Sequence, residues 1–333
     1  MESKCQKIAG GDTLKENNEK KLRLAIIVPC YNEEEVLPET ISVLSDFLER
    51  MKASQISEDS FLLFIDDGSK DNTWNIIENA SQNLHFIKAI KFSRNFGHQN
   101  ALLAGYEYVV DKCDVALTID ADLQDDINVV EEGIKKINDG YDIVYFARKS
   151  RSVDSWFKRN TAVLFYKLLH LFGVEIVYNH ADFRLTTNRV LRELLSFKEV
   201  NLFLRAMFPL IGFRSEIIYE DIKERKAGKS KYTLNKMFAF AFEGITSFSV
   251  IPLRFITVLG VIVFLLSIVM GFYTIFVKFF GHGIVPGWAS VVIPIYLLGG
   301  LTIFSIGIVG EYIGKIYKEV KARPRFIVDK VIE

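Results

Sequence analysis

The sequence predicts an α/β fold: a mostly parallel sheet covered by helices on both faces, followed by interfacial amphipathic helices and a two-helix transmembrane hairpin. Three observations predict it. Apolar runs of strand length alternate with stretches of helical period, acidic clusters fall where those runs end, and two long uncharged segments lie late in the chain.

The elements follow in order. Residues 24–28 form a continuous aliphatic run and 33–51 carry helical periodicity; 61–65 read as a second buried strand and 73–80 begin a second helix. Residues 86–92 read as a third strand, 99–110 as a helix and 115–119 as a fourth strand. Strands that are apolar throughout are buried on both faces, as parallel strands are.

No charged residue occurs from 255 to 277 or from 283 to 310, and each run exceeds the roughly 20 residues that cross a bilayer core. Lys229, Lys231, Lys236 and Arg254 precede the first span, and Lys315, Lys318, Lys321, Arg323 and Arg325 follow the second. Positive flanks favour the cytoplasm, so both ends are expected inside and the connecting loop outside. The expected organisation is a flexible tail at 1–21, a catalytic domain at 22–233, an interfacial helix at 234–254, a hairpin at 255–310 with spans at 255–277 and 286–310, and a cytoplasmic tail at 311–333. A second interfacial candidate, 156–173, sets Lys158, Arg159 and Lys167 among large apolar residues.

Composition bounds the function. The 333 residues carry a formal net charge of zero, so there is no global basic field for nucleic acid and anion binding must come from local clusters. Cys5, Cys30 and Cys113 show no metal or redox spacing and fit a reducing compartment.

In open α/β sheets ligands bind at the carboxyl ends of the strands. Strand one ends in Pro29, Cys30, Tyr31, Asn32 and Glu33; strand two in Asp66 and Asp67; strand four in Asp120, Ala121, Asp122, Leu123 and Gln124. Asp71 and Asp126 read as helix caps. The remaining carboxylates converge on one edge and repel, so they call for a cation. Asp120 and Asp122, with Gln124 as a neutral third ligand, suit Mg2+ or Mn2+, which share positions with water and phosphate oxygens. A diphosphate is the natural partner, and Asp122 is expected to be catalytic through the ion it holds.

In chain order the runs VPCYNEEE, DDGSKDNT, RNFGHQNALLAG and DADLQDD resemble the family 2 glycosyltransferases of the Rossmann-like GT-A fold. Asp182, Phe183, Arg184 and Leu185, the run RKAGKSKY and the hairpin are similar to the polyprenyl-phosphate branch, which includes bacterial bactoprenol glucosyltransferases and dolichol-phosphate mannose synthase. The resemblance implies that Pro29, Tyr31, Glu33, Asp67 and Asp120 bind the nucleotide, and that Asp120, Asp122 and Gln124 hold the metal; Arg94 reads as a nucleotide-phosphate ligand, with a solvated loop residue as the alternative. It further implies that Arg148, Arg159, Arg225, Ser230 and Lys231 meet the acceptor phosphate. Arg184 joins that acceptor group. Asp182 is the candidate carboxylate near the anomeric carbon, as base, as donor-orienting group or as support for Arg184.

The implied reaction is inverting transfer of a hexose, from UDP-glucose by preference, to undecaprenyl phosphate at the plasma membrane, for cell-envelope glycosylation. The implied assembly is a homo-oligomer, a tetramer by resemblance. GDP-mannose or UDP-N-acetylglucosamine are the alternative donors, and a non-catalytic membrane scaffold is the reading from another class. One departure is Asp125, which stands where many relatives carry proline after the glutamine. No QxxRW-like run is present, which disfavours a polymerising synthase.

Overall fold

The computed structural model describes residues 21–149, 180–220, 249–280 and 287–333, with 171, 173, 177 and 245–247 between them. Arg159, Arg225, Ser230 and Lys231 lie outside the described residues, as do the tail before Lys21, all of the interfacial stretch 156–173 but 171 and 173, and residues 234–244 and 248 of the stretch 234–254.

Four strands follow the sequence expectation closely: β1 (Leu24–Cys30), β2 (Phe61–Asp66), β3 (Ile87–Phe92) and β4 (Val115–Thr118). They alternate with α1 (Leu37–Ser54), α2 (Thr73–Asn83) and α3 (His98–Val109). Every residue of β1, β2 and β4 is buried, as unbroken aliphatic runs require. Beyond β4 come α4 (Val130–Asn138), β5 (Ile143–Arg148), β6 (His180–Thr187), α5 (Asn188–Ser196), α6 (Leu204–Ile211) and β7 (Ser215–Glu220). Two long helices, α7 (Ile251–Phe280) and α8 (Trp288–Lys321), precede a last strand, β8 (Val328–Ile332).

The eight strands form one sheet in the order β7-β5-β6-β4-β1-β2-β3-β8. β1 runs parallel to β2 and β4, β2 to β3, and β5 to β7. β6 runs antiparallel to β4 and β5, and β8 to β3. On one face Ile26 and Val28 pack with Leu44 and Leu48 of α1 and Ile77 of α2. On the other, Ala25 and Ile27 pack with Leu102 and Tyr106 of α3, Leu191 of α5 and Phe208 of α6.

The first long helix overlaps 255–277 and extends past both bounds, and the second overlaps 286–310, starting at Trp288 and running on to Lys321. Among the described residues one stretch, Leu297–Lys321, is long and apolar enough to cross a membrane, and none of it is buried in the protein. The region expected to be a tail from 311 onward continues α8 to Lys321 and then returns to the sheet as β8. Glu319 of α8 accepts the backbone N–H groups of Val200 and Asn201 at 2.8 and 2.9 Å, and Arg325 donates to the Phe197 carbonyl at 3.0 Å. These contacts hold the base of the hairpin against the α/β domain.

Candidate active site at the carboxyl edge of the sheet

The loop after β1 and the loop after β2 are stitched together. The Asn32 N–H donates to Ser69 Oγ at 3.0 Å, the Lys70 N–H to Asn32 Oδ1 at 2.8 Å, and the Glu33 N–H to Thr73 Oγ1 at 2.9 Å. Tyr31 and Glu33 are half-buried in this loop. Pro29 is buried within β1 opposite Ile65, so it forms wall rather than an open contact.

Asp67, expected at the nucleotide, is tied into the protein. It is buried, and its two oxygens accept the N–H groups of Phe96 at 2.6 Å and Gly97 at 2.9 Å. Its demonstrated work is to anchor the loop after β3, which carries exposed Arg94 stacked 4.0 Å over the Phe96 ring. Gly68 makes the close approach possible: its φ is +65°, and a Cβ there would lie 2.2 Å from the Arg94 carbonyl carbon. Asp66 is fully buried and accepts the Ser69 N–H at 3.0 Å, and burial raises its pKa. Asp126 caps the turn at Ile127–Val129, accepting the Asn128 N–H at 3.4 Å, whereas Asp71 stands one residue before the N-cap Asn72 of α2 and accepts the Thr73 N–H at 3.1 Å.

Antiparallel β6 enters from the edge where parallel β4 leaves, with Arg184 opposite Thr118. Asp182 therefore comes beside Asp120, although 62 positions separate them in the chain. The Thr118 hydroxyl donates to the Asp182 carbonyl and fixes the crossing.

Two guanidiniums and an imidazole surround the buried Asp182 carboxylate. Arg184 Nη2 lies 2.8 Å from Oδ1, while Arg205 Nη2 and His98 Nε2 lie 3.1 and 3.2 Å from Oδ2. Burial alone would raise the Asp182 pKa, but Arg205, the His98 hydrogen bond and Arg184 outweigh it and hold the group well below the usual carboxylate range. A carboxylate so held is a poor proton acceptor, and its two oxygens are engaged by Arg184, Arg205 and His98.

Arg184 corrects an expectation. Its side chain is 0% exposed, paired with Asp182 and stacked 4.1 Å over Phe208, so it lies beneath the site and not where an acceptor phosphate would sit. The position follows from strand alternation: Asp182 and Arg184 share one face of β6, and the packing of α6 closes over that face.

Asp120 and Asp122 stand at the carboxyl end of β4, and Asp122 Oδ1 accepts the Gln124 N–H at 3.2 Å. Burial raises the Asp120 pKa; His98 opposes that rise, while Asp182 and Asp122 add to it. This crowding is what a cation would relieve. Among the described residues no group of three or more His, Cys, Asp or Glu is arranged to hold a metal, so any ion here rests on two carboxylates and the Gln124 amide. That sparse set leaves positions for water and phosphate oxygens.

Residues 25–195 match the model of glycosyl transferase family 2, and 251–316 match the GtrB C-terminal hairpin. The chain belongs to glycosyl transferase family 2. All the strand-end clusters and Asp182 fall inside the family 2 match, and α7 with most of α8 makes up the hairpin match. The chain is 50% identical over 307 residues to the uncharacterized glycosyltransferase YkoT of Bacillus subtilis, covering 92% of this chain and 91% of that one. It is 37% identical to the SfII prophage-derived bactoprenol glucosyl transferase of Shigella flexneri, covering 93% and 98%. It is 36% identical to the prophage bactoprenol glucosyl transferase homolog of Escherichia coli, covering 93% and 99%.

Within this family 2 site, Arg148 closes β5 with a guanidinium nitrogen 3.9 Å from Asp125, the residue that stands in place of proline. Burial raises the pKa of both Asp125 and Glu220 in this corner. Two residues of the Asp182 cluster were not singled out from sequence. His98 sits in the recognisable run RNFGHQN, and Arg205 is the lone charge in NLFLRAMF, flanked by buried Leu204, Ala206, Met207 and Phe208. A single guanidinium inside an apolar helix is a legible signal, because burying its surroundings requires a partner for the charge.

Proposed function

We propose that the protein transfers a hexose from a nucleotide-diphosphate sugar, UDP-glucose first among the candidates, to a polyprenyl phosphate at the cytoplasmic face of a bacterial plasma membrane. Near-full-length similarity to proteins named bactoprenol glucosyl transferase carries the reading, because it spans the α/β domain and the hairpin together. The uncharged segments at 255–277 and 283–310 and their cationic flanks support two membrane spans with both termini inside.

The chemistry of the site agrees. An acceptor phosphate is already anionic near neutral pH, so the reaction needs placement and charge compensation more than a base. One acceptor oxygen bonds to the anomeric carbon as the bond from that carbon to the β-phosphate oxygen breaks, and the nucleoside diphosphate leaves with the electron pair. No proton has to move. The poor basicity of Asp182 is then no handicap.

Asp120 and Asp122, with Gln124, are the residues that would hold Mg2+ or Mn2+. When bound, the ion offsets carboxylate repulsion and stabilises negative charge on the departing diphosphate. Tyr31, Glu33 and Arg94 are proposed to meet the nucleotide. Arg148, with Arg159, Arg225, Ser230 and Lys231, is proposed to meet the acceptor head group, where guanidinium forks fit phosphate oxygens.

Purified protein incubated with undecaprenyl phosphate, Mn2+ or Mg2+ and labelled UDP-glucose, UDP-N-acetylglucosamine or GDP-mannose tests the reading. The expected result is labelled lipid with one donor, lost on chelation and in Asp122→Asn. Absence of labelled lipid with every donor would overturn it.

A further inference from the structure

His98 and Arg205 differ from Arg184 in one decisive respect. All three hold the same carboxylate, yet Arg184 is sealed from solvent, while the side chains of His98 and Arg205 are 43% and 27% exposed. Asp182 is thus fixed from below by one guanidinium and from the open side by a second guanidinium and an imidazole.

Arg184 meets Oδ1 of Asp182 from beneath, while Arg205 and His98 share Oδ2 on the open side. The other nearby carboxylate is Asp120, with Oδ1 3.9 Å from His98 Nε2. Its charge is the one a divalent cation would offset.

Both groups are held for use rather than left to swing. Arg205 projects from α6, whose neighbouring residues are buried, and His98 opens α3 immediately after Gly97, whose N–H is tied to Asp67. The amino terminus of α3 adds its partial positive charge at the same place. A rigid, partly exposed pair of donors beside a carboxylate that keeps them oriented is the arrangement that binds an anion with little reorganisation.

Resting on the proposed transferase activity, we propose that His98 and Arg205 form a phosphate-binding pair of this site, contacting a phosphate group of one of the two substrates. Two phosphates could occupy it: the monoester of the lipid acceptor, and the diphosphate of the donor. Both offer the same oxygens to an arginine fork and an imidazole N–H, so the sources are separated by titration.

Full-length protein in detergent is titrated with farnesyl phosphate in the presence of UDP and Mn2+, with farnesol as the uncharged control, and separately with UDP and Mn2+. Wild type is compared with Arg205→Ala, Arg205→Lys and His98→Asn, each checked by its melting temperature. Arg205→Lys keeps the charge beside Asp182 and guards against misfolding of the alanine variant, yet it loses the fork. The expected result is about tenfold weaker binding of one phosphate ligand in Arg205→Ala, a smaller loss in Arg205→Lys and His98→Asn, and unchanged farnesol binding. Loss confined to farnesyl phosphate assigns the pair to the acceptor, and loss confined to UDP assigns it to the donor.

Variants that fold and bind both ligands as wild type does would overturn the pair while leaving the transferase reading intact. A wild-type protein that binds neither ligand would overturn both.

Discussion

Replacing Asp182 with asparagine should destabilise the protein severely, and the size of the effect follows from what surrounds it. The change removes the one negative charge paired with a guanidinium that is 0% exposed, and it leaves Arg184, Arg205 and His98 facing a neutral amide. Breaking a buried pair by deleting one partner costs about 3–5 kcal/mol, because the remaining charge stays buried. For a folded unit of this size each kcal/mol lowers Tm by roughly 2–4 °C, so the loss should be on the order of 6–20 °C. Thermal unfolding of the detergent-solubilised protein, followed by far-UV circular dichroism, measures it. The double variant Asp182→Asn, Arg184→Met removes the orphaned charge and should recover about half of the loss. A single variant melting within about 1 °C of wild type, or a double variant no better than the single, would refute the claim that Asp182 is held chiefly as the counter-charge to buried arginine.

Three further outcomes follow from the same geometry. Because the folded-state pKa of Asp182 is depressed, its contribution to stability should be fully present above the unfolded value of about 3.9 and be lost as pH falls toward the folded value. Melting curves across pH 2–6 should accordingly show a shallower acid limb in Asp182→Asn, and an unchanged limb would contradict the assignment. Gly68→Ala forces a Cβ to within 2.2 Å of the Arg94 backbone at a φ of +65°; a cost of about 1–3 kcal/mol and a raised KM for the nucleotide sugar are expected, read by melting and initial rates. Phe326 stacks on Phe92 with ring centroids 5.0 Å apart, and the Ser93 N–H donates to the Ile327 carbonyl at 3.0 Å, so β8 braces the start of the Arg94 loop. Phe326→Ala should cost roughly 1–2 kcal/mol, less than the 3–5 typical of a fully buried phenylalanine, and should raise the nucleotide-sugar KM more than it lowers kcat.

The central sheet was legible because β1 to β4 are parallel and buried on both faces, which leaves unbroken aliphatic runs such as LAIIV and FLLFI. The strand-end carboxylates were legible for the same reason, since the ends of those runs mark the ligand edge. What escaped lies where long-range pairing overrides local pattern. β6 reads HADFRLTT, with charge and apolar residues mixed, and its antiparallel direction brings Asp182 to Asp120 only through register with β4 and β5. From sequence, Arg184 is grouped with the acceptor ligands on its place in the DFRL motif; α6, packed over it through Phe208, is what buries it. The resemblance set Asp67 at the nucleotide, and its bonds to the loop carrying Phe96 and Gly97 depend on long-range folding that no local pattern marks. β8 is a short edge strand with mostly exposed residues, so nothing in VDKVI distinguishes it from a tail; its partner, β3, lies more than 200 residues earlier.

The account turns on an acceptor that arrives already charged, at a site where the buried Asp182 carboxylate is too acidic to serve as base. The most direct measurement compares initial rates of sugar transfer to undecaprenyl phosphate and to undecaprenol, with the same donor and Mn2+, from pH 6 to 9. The account predicts labelled product from the phosphate alone, at a rate that does not demand a deprotonated protein base across that range. Transfer to undecaprenol at a comparable rate, rising with pH as a base is freed, would contradict it.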